Sequence, residues 1–347
     1  MDGAGRPLRI AARRLAIALA MLATSAVAWG QKTTLTVYTA IETDQLKAYE
    51  AGFAKAEPDI QLKWVRDSTG IVTAKLLAEK DNPQADVIWG LAASSLAMLE
   101  DDGMLLPYPP KGFAQLSPQY CDAKSPPSWW GMDVYGAAVC FNTVEAAKRG
   151  IPKPETWKDL AKPVYKGQIA MPNPQSSGTG FLDVVAWLQL YGEAEGWSYM
   201  DALHQNIGVY THSGSKPCRQ AGAGEYVIGL SFDSRANHVK SRGLPIELVF
   251  PKEGIGWDIE AFAIVKGTKK LDAAKKLADW AASRDAMTLY DKNYAIVAMP
   301  GVSTPLPHLP ADYEKLLMKS DFLWAAKNRE RILAEWNKRY GTKAEKP

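Results

Sequence analysis

Histidine and cysteine are scarce in this sequence, with four and three among 347 residues. His204, His212, His238 and His308 show neither His-Glu-x-x-His nor zinc-finger spacing, and Cys121, Cys140 and Cys218 form no Cys-x-x-Cys pair. Zincin, zinc-finger and dithiol redox motifs are thereby excluded, and no metal or cofactor is expected. The glycine-rich turn at Gly178 lacks a Walker lysine, and Gly229-Leu-Ser-Phe-Asp233 lacks the closing glycine of a nucleophile elbow. Nothing favours an acid-pair hydrolase either, so an enzyme is not the expectation. Beyond residue 30 no apolar run reaches the roughly 20 residues of a spanning helix.

A surplus of one charge is also missing. Arg6, Arg9, Arg13 and Arg14 precede the apolar run Leu15 to Val27 and the small-residue site Ala26-Val-Ala28, which together read as a secretory signal peptide over residues 1–28, cleaved near Ala28. Its apolar core is short for a membrane anchor, and the expected location is the periplasm. Without residues 1–28, Lys+Arg falls from 41 to 37 and Asp+Glu from 38 to 37, leaving no net charge. Lysines are scattered instead of striped, so no nucleic-acid footprint remains. An oxidising compartment permits one disulfide and leaves one thiol over. Cys121–Cys140, closing a loop over a domain edge, is the expected pairing, with a bridge from either to Cys218 left open.

What is present is an ordinary globular composition, 47% hydrophobic and 23% charged, in a chain long enough for two domains. The run 34–39 alternates as a strand, a helix follows to Ala56, and 60–66 and 85–90 are further strands, each followed by a polar turn and a helix. After Ser68-Thr-Gly70 the helical face is expected to be Ile71, Ala74, Leu77 and Ala78. This β-α alternation predicts a parallel sheet with helices on its faces. A proline-rich connector (105–130) leads to the strand 134–142, long enough to cross between domains, and 259–265 reads as the return crossing. Strands at 168–171, 208–211, 226–233 and 246–250 give the second domain its own series, and a tail helix closes the chain at 321–340.

Four turns share one description: Ser68-Thr69-Gly70, Ser94-Ser95, Ser176-Ser177-Gly178-Thr179 and Ser213-Gly214-Ser215. Each follows a strand and opens a helix, where unpaired amides and the positive dipole end make an anion site. One such turn is also what an ordinary helix cap looks like; several converging at the carboxyl ends of two sheets would hold an anion without a lysine. Beside them stand acids and aromatics. Glu42, Asp233 and Asp258 are candidates to receive an ammonium group, and Tyr38, Tyr135, Phe232 and Trp257 to wall it in. Arg235 is placed either on the anion or against Asp233.

Longer runs carry a resemblance. Trp129-Trp-Gly-Met-Asp-Val134, Met171 to Gly180, Tyr210-Thr-His-Ser-Gly-Ser-Lys-Pro-Cys218 and Gly254-Ile-Gly-Trp-Asp258 resemble the periplasmic substrate-binding proteins of ABC importers. Within that family the chain is similar to the branch containing ferric-ion-binding proteins, and there to the 2-aminoethylphosphonate-binding group. The resemblance implies an α/β, two-lobed periplasmic-binding-protein fold (type II), with parallel-rich sheets flanked by helices and a ligand cleft between lobes. Lobe 1 would take residues 33–135 and 259–299, lobe 2 residues 136–258 and 300–347. Ferric-binding members carry adjacent tyrosines after the strand that here ends Phe232-Asp233, and a histidine near Glu42, so iron is not the implied cargo. The implied ligand is 2-aminoethylphosphonate or a close aminoalkylphosphonate, held by a monomer that hands it to a membrane permease. Ser176, Ser177, Gly178, Thr179, Ser68, Thr69, Ser213, Ser94 and Ser215 would take the phosphonate. Ferric ion, a phosphate ester or a polyamine are the alternative cargoes, and an exported enzyme acting on phosphorus compounds is the alternative class.

Overall fold

The computed structural model describes residues 32–345, so the expected leader lies outside the described residues. The first half runs β1 (Thr33–Thr39), α1 (Thr43–Ala56), β2 (Ile60–Arg66), α2 (Thr69–Ala78), β3 (Val87–Ala92) and α3 (Ala93–Asp101). Short β4 (Leu105–Leu106) lies in the proline-rich connector before the long β5 (Trp129–Asn142). The second half follows as α4 (Thr143–Arg149), β6 (Ile169–Pro172), α5 (Gly178–Tyr191), α6 (Glu193–Asn206), β7 (Ile207–Thr211), α7 (Lys216–Ala223), β8 (Ile228–Phe232), α8 (Asp233–Ser241) and β9 (Ile246–Val249). The chain returns through β10 (Trp257–Val265) and ends with α9 (Leu271–Ala281), α10 (Arg284–Tyr290), β11 (Ile296–Val297) and α11 (Phe322–Tyr340). None of these helices is long and apolar enough to cross a membrane.

The fold is two-lobed, and β5 and β10 join the lobes. Strand order is β2-β1-β3-β10-β5-β8-β6-β7, parallel toward each end and antiparallel where β10 and β5 meet their neighbours. Trp129 to Gly136 of β5 pair with β10, whereas Ala137 to Phe141 pair with β8, so this one strand leaves one lobe and enters the other. Thirteen of its fourteen residues are buried. That burial explains an apolar run without alternation: helices cover both faces.

Aromatic clusters fill each lobe. Trp89 lies 5.2 Å from Trp64 and 5.8 Å from Trp280, and its indole N–H donates to the Tyr290 hydroxyl at 3.2 Å. In the other lobe Trp187 meets Trp157 at 5.5 Å and Tyr199 at 5.2 Å. Each such pair contributes about 1 kcal/mol beyond its area burial. The buried face of α2 is Val72, Thr73 and Leu76, one step round from the expected one, and Ile71 is exposed.

The expected Cys121–Cys140 bridge is wrong. Cys140 is bonded to Cys218, with Cα atoms 5.3 Å apart, and Cys121 is the free thiol. Cys121 pairs with Trp130, ten residues before Cys140 on the same extended strand, a separation of roughly 33 Å. Gly229 of β8 lacks the Cβ that would meet the Pro217 carbonyl at 2.2 Å, and this lets the start of α7 settle beside Cys140. The bridge spans 78 residues, and such a loop stabilises by about 4.5 kcal/mol in the chain-entropy account. The Cys140→Ala, Cys218→Ala double variant is expected to lose that much in urea unfolding. Burial pushes the Cys121 thiol up to about 11, so in the native protein it should react slowly with a disulfide reagent at neutral pH.

Candidate functional site

The carboxyl ends of the parallel strands from both lobes converge on one narrow cavity of about 40 Å³. By the yardstick of roughly 10–15 Å³ per water, that is room for a few waters or one small solute. Ser68 and Thr69 arrive from the β2–α2 turn, Ser177, Gly178 and Thr179 from the start of α5, Ser213 and Gly214 from the turn after β7. Glu42, Arg66, Tyr135, Phe232 and Glu260 complete the wall. Nine residues expected from the sequence are therefore brought together: Ser68, Thr69, Ser177, Gly178, Thr179, Ser213, Glu42, Tyr135 and Phe232.

Local geometry shows why this spot suits an anion. Ser177 caps α5, its Oγ accepting from the Gly180 N–H at 3.3 Å, which leaves the first-turn amides of Gly178 and Thr179 unused. Ser68 occupies the N-cap of α2 in extended backbone and makes no side-chain cap bond. Among the described residues, the hydroxyls of Ser68, Thr69, Thr179 and Ser213 have no protein partner, although they face the same cavity. Two helix starts, one per lobe, thus aim donors and positive dipole ends at one point.

The lobes touch around it. The Gly70 N–H donates to the Ser176 carbonyl at 2.8 Å across the cleft, while within the second lobe the Ser176 Oγ donates to the His212 carbonyl at 2.7 Å. A Cβ on Gly178 would stand 2.6 Å from the Thr69 Oγ1 across the cleft. Arg235 of α8 reaches over to Glu42 at 3.0 Å and to Asp44 at 3.2 Å, while Arg66 donates to the Ile41 carbonyl at 3.1 Å. The sequence alternative that set Arg235 against Asp233 is not what forms.

Several expected residues lie elsewhere. Ser94 donates to Asp258 at 2.6 Å, and both line a separate small cavity with Trp257. Trp257 donates its indole N–H to the Met318 carbonyl, and Tyr38 donates its hydroxyl to Glu79. Ser215 stands outside, accepting from Arg219 at 2.8 Å. Asp233 is fully buried behind the wall, one oxygen accepting from the Gly136 and Ser234 amides and the other without a partner. Burial raises it to about 6.

The acid the sequence reading passed over is Glu260. It projects into the cavity from β10, and the Tyr294 hydroxyl donates to it at 3.0 Å. Among the described residues no cation lies within ion-pair distance of it, and burial pushes its carboxyl up to about 8. One signal was available: a glutamate inside the otherwise apolar run Ile259 to Val265. Buried Asp133, with neither oxygen paired, lies close enough to couple with it electrostatically. Among the described residues no three His, Cys, Asp or Glu side chains assemble in metal-holding geometry.

Residues 82–326 match the model of the family described as bacterial extracellular solute-binding protein. An uncharacterized protein of Haemophilus influenzae is 32% identical over 285 residues, covering 80% of this chain and 82% of that one. A probable ABC transporter periplasmic-binding protein of Sinorhizobium fredii, y4fP, is 28% identical, with 84% and 82% covered. Among solved structures, the periplasmic binding protein AfuA of Actinobacillus pleuropneumoniae, with fructose-6-phosphate bound, superposes with a TM-score of 0.83 at 29% identity, covering 89% of this chain and 99% of AfuA.

Proposed function

Since the chain belongs to the bacterial extracellular solute-binding proteins, serving an ABC transporter as its solute-capturing component, we propose that its cargo is a small phosphorus oxyanion carrying an ammonium group, 2-aminoethylphosphonate or a close aminoalkylphosphonate. One observation carries the reading: unpartnered hydroxyls and first-turn amides from both lobes line one cavity whose wall also holds a half-buried carboxyl with no ion partner, Glu260. Oriented donors replace water around a phosphonate dianion. A carboxylate without a cation of its own gives the amine its counter-charge. Glu42, already engaged by Arg235, serves closure more than it serves the amine. The ligand favours the closed form because both half-sites touch it only there.

A second reading is a phosphate ester. AfuA, the relative described with fructose-6-phosphate bound, supports it, and so does a wider space of about 590 Å³ outside the narrow cavity. Calorimetric titration with 2-aminoethylphosphonate, ethylphosphonate, fructose 6-phosphate, spermidine and ferric citrate separates these cargoes. Tightest binding of 2-aminoethylphosphonate is the expected result. Binding of ferric citrate or spermidine with silence from the phosphonates would falsify the assignment.

Thr179→Val keeps the shape of the α5 start and removes one donor. It is expected to weaken 2-aminoethylphosphonate and ethylphosphonate alike, by about tenfold, the scale of a hydrogen bond to a charged group. Unchanged affinity would reduce Thr179 to a helix-start residue.

A further inference from the structure

Outside the narrow cavity, and sharing Glu42, Arg66 and Ser213 with it, opens a vestibule of about 590 Å³. Its lining is strongly basic. Arg235 is matched there by Glu42 and Asp44. Arg219 and Arg242 have no carboxylate within ion-pair distance among the described residues, and no acid besides Glu42 and Asp44 lines the space. Arg219 is held in place by its bond to the Ser215 Oγ. Partial desolvation against the concave wall, opposed by Glu42 and reinforced by the guanidiniums of Arg235 and Arg66, holds Arg219 below the ordinary arginine value although its side chain stays exposed. Four arginines against two acids leave a local excess of two positive charges, in a chain whose formal total is only +3.

We infer that this vestibule is an outer anion-capture site, where Arg219 and Arg242 gather the phosphorus dianion at the mouth of the cleft before the lobes close on it. The inference rests on the cargo reading above and adds the route by which that cargo arrives. A concave, one-signed mouth focuses the field and raises encounter rates by factors of 10 to about 10³ at low salt. Arg219, Arg235 and Arg242 lie on α7, α8 and the turn after α8, in the lobe that carries the Ser177–Thr179 and Ser213 donors. An anion drawn to them therefore lands beside the amides that will hold it. Opening the cleft breaks the bonds from Arg235 to Glu42 and Asp44, which adds one more free guanidinium when capture is needed. No ligand atom has to touch Arg219 or Arg242 in the closed form, which distinguishes this site from the inner one.

Stopped-flow binding of 2-aminoethylphosphonate, with fructose 6-phosphate as a parallel ligand, tests it. The Arg219→Gln, Arg242→Gln double variant changes two exposed side chains. Its association rate is expected to fall about tenfold at about 10 mM salt and to converge on wild type near 1 M, where charges are screened within roughly 3 Å. Its dissociation rate should stay within about twofold. Lys153→Gln with Lys158→Gln removes the same charge from exposed positions outside the vestibule lining and should leave both rates alone. Wild-type binding with an association rate and salt slope that the double variant retains overturns the capture site alone. So does a loss confined to dissociation. A wild-type protein silent toward every phosphorus compound ends the cargo assignment and the capture site with it.

Discussion

Glu260→Gln is expected to cost 2-aminoethylphosphonate two to three orders of magnitude in affinity while ethylphosphonate loses less than about threefold. Removing one partner of a buried ion pair costs about 3–5 kcal/mol, because the other charge is left uncompensated, and each 1.4 kcal/mol is about tenfold. Glu260 is singled out because the other carboxylate in the wall, Glu42, already answers Arg235 at 3.0 Å. Glutamine preserves volume and can still accept from the Tyr294 hydroxyl, so the fold is not at stake. Equal losses for the two ligands would strip Glu260 of the ammonium role.

The same residue fixes a pH dependence. Burial, opposed by the Tyr294 hydrogen bond, holds its carboxyl at about 8, whereas an amine of lysine type stays protonated up to roughly 10. Below about pH 8 a proton must leave before the ammonium can be received. The affinity ratio of 2-aminoethylphosphonate to ethylphosphonate should therefore fall about tenfold per unit as pH drops below 8, and Glu260→Gln should flatten it. In the ligand-free protein the folded value lies above the unfolded one, so the folded state binds the extra proton. The stability this contributes is present at acid pH and is lost as pH rises from about 4.5 through about 8. Thermal unfolding of wild type against Glu260→Gln reads that difference directly.

Gly70→Ala should act as a wedge. A Cβ there would stand 2.2 Å from the Gln175 carbonyl oxygen and 2.9 Å from that of Ser176, both backbone atoms of the opposite lobe. The bond from the Gly70 N–H to Ser176 would be pushed apart with them. Within its own lobe the substitution sits in the first turn of α2, where alanine favours helix by up to about 1 kcal/mol. Folding is thus preserved or improved, while closure loses its contact. Affinity for every ligand is expected to fall by about 100-fold or more, since a closed state made rare lowers apparent affinity by the same factor. Solution scattering should show the expanded form even at saturating ligand. A variant that binds normally and still contracts on binding would show that the lobes close without this contact.

The strand–turn–helix series of both lobes was legible because each strand is a short apolar run and each turn announces itself with hydroxyls and glycine. The hydroxyl-rich turns that bring Ser68, Thr69, Ser177 to Thr179 and Ser213 to one cavity were legible for the same reason. Helices α6 and α8 were not. Gly196 reads as a breaker in α6, yet a Cβ there would meet the Trp187 carbonyl at 3.0 Å, so the glycine permits close packing on α5. Helix α8, Asp-Ser-Arg-Ala-Asn-His-Val-Lys-Ser, has almost no apolar face, and its Arg235 is buried by ion pairs across the cleft. Asp233 and Asp258 stood in plausible places along the chain, but only three-dimensional pairing shows their oxygens turned to the Gly136 and Ser234 amides and to Ser94. The disulfide was missed because pairing depends on which face of β5 a helix covers, and sequence distance carries no such information.

That disulfide changes what a movement of β5 can do. Cys140 lies four residues beyond the point where β5 changes partner from β10 to β8, and its bond to Cys218 fastens the helix that begins just after the Ser213-Gly214-Ser215 turn. Any rotation of the strand swings that turn as a welded lever, without slack between them. Ser213 therefore travels with the strand through the stroke, while Ser68 and Thr69 approach it from the opposite lobe.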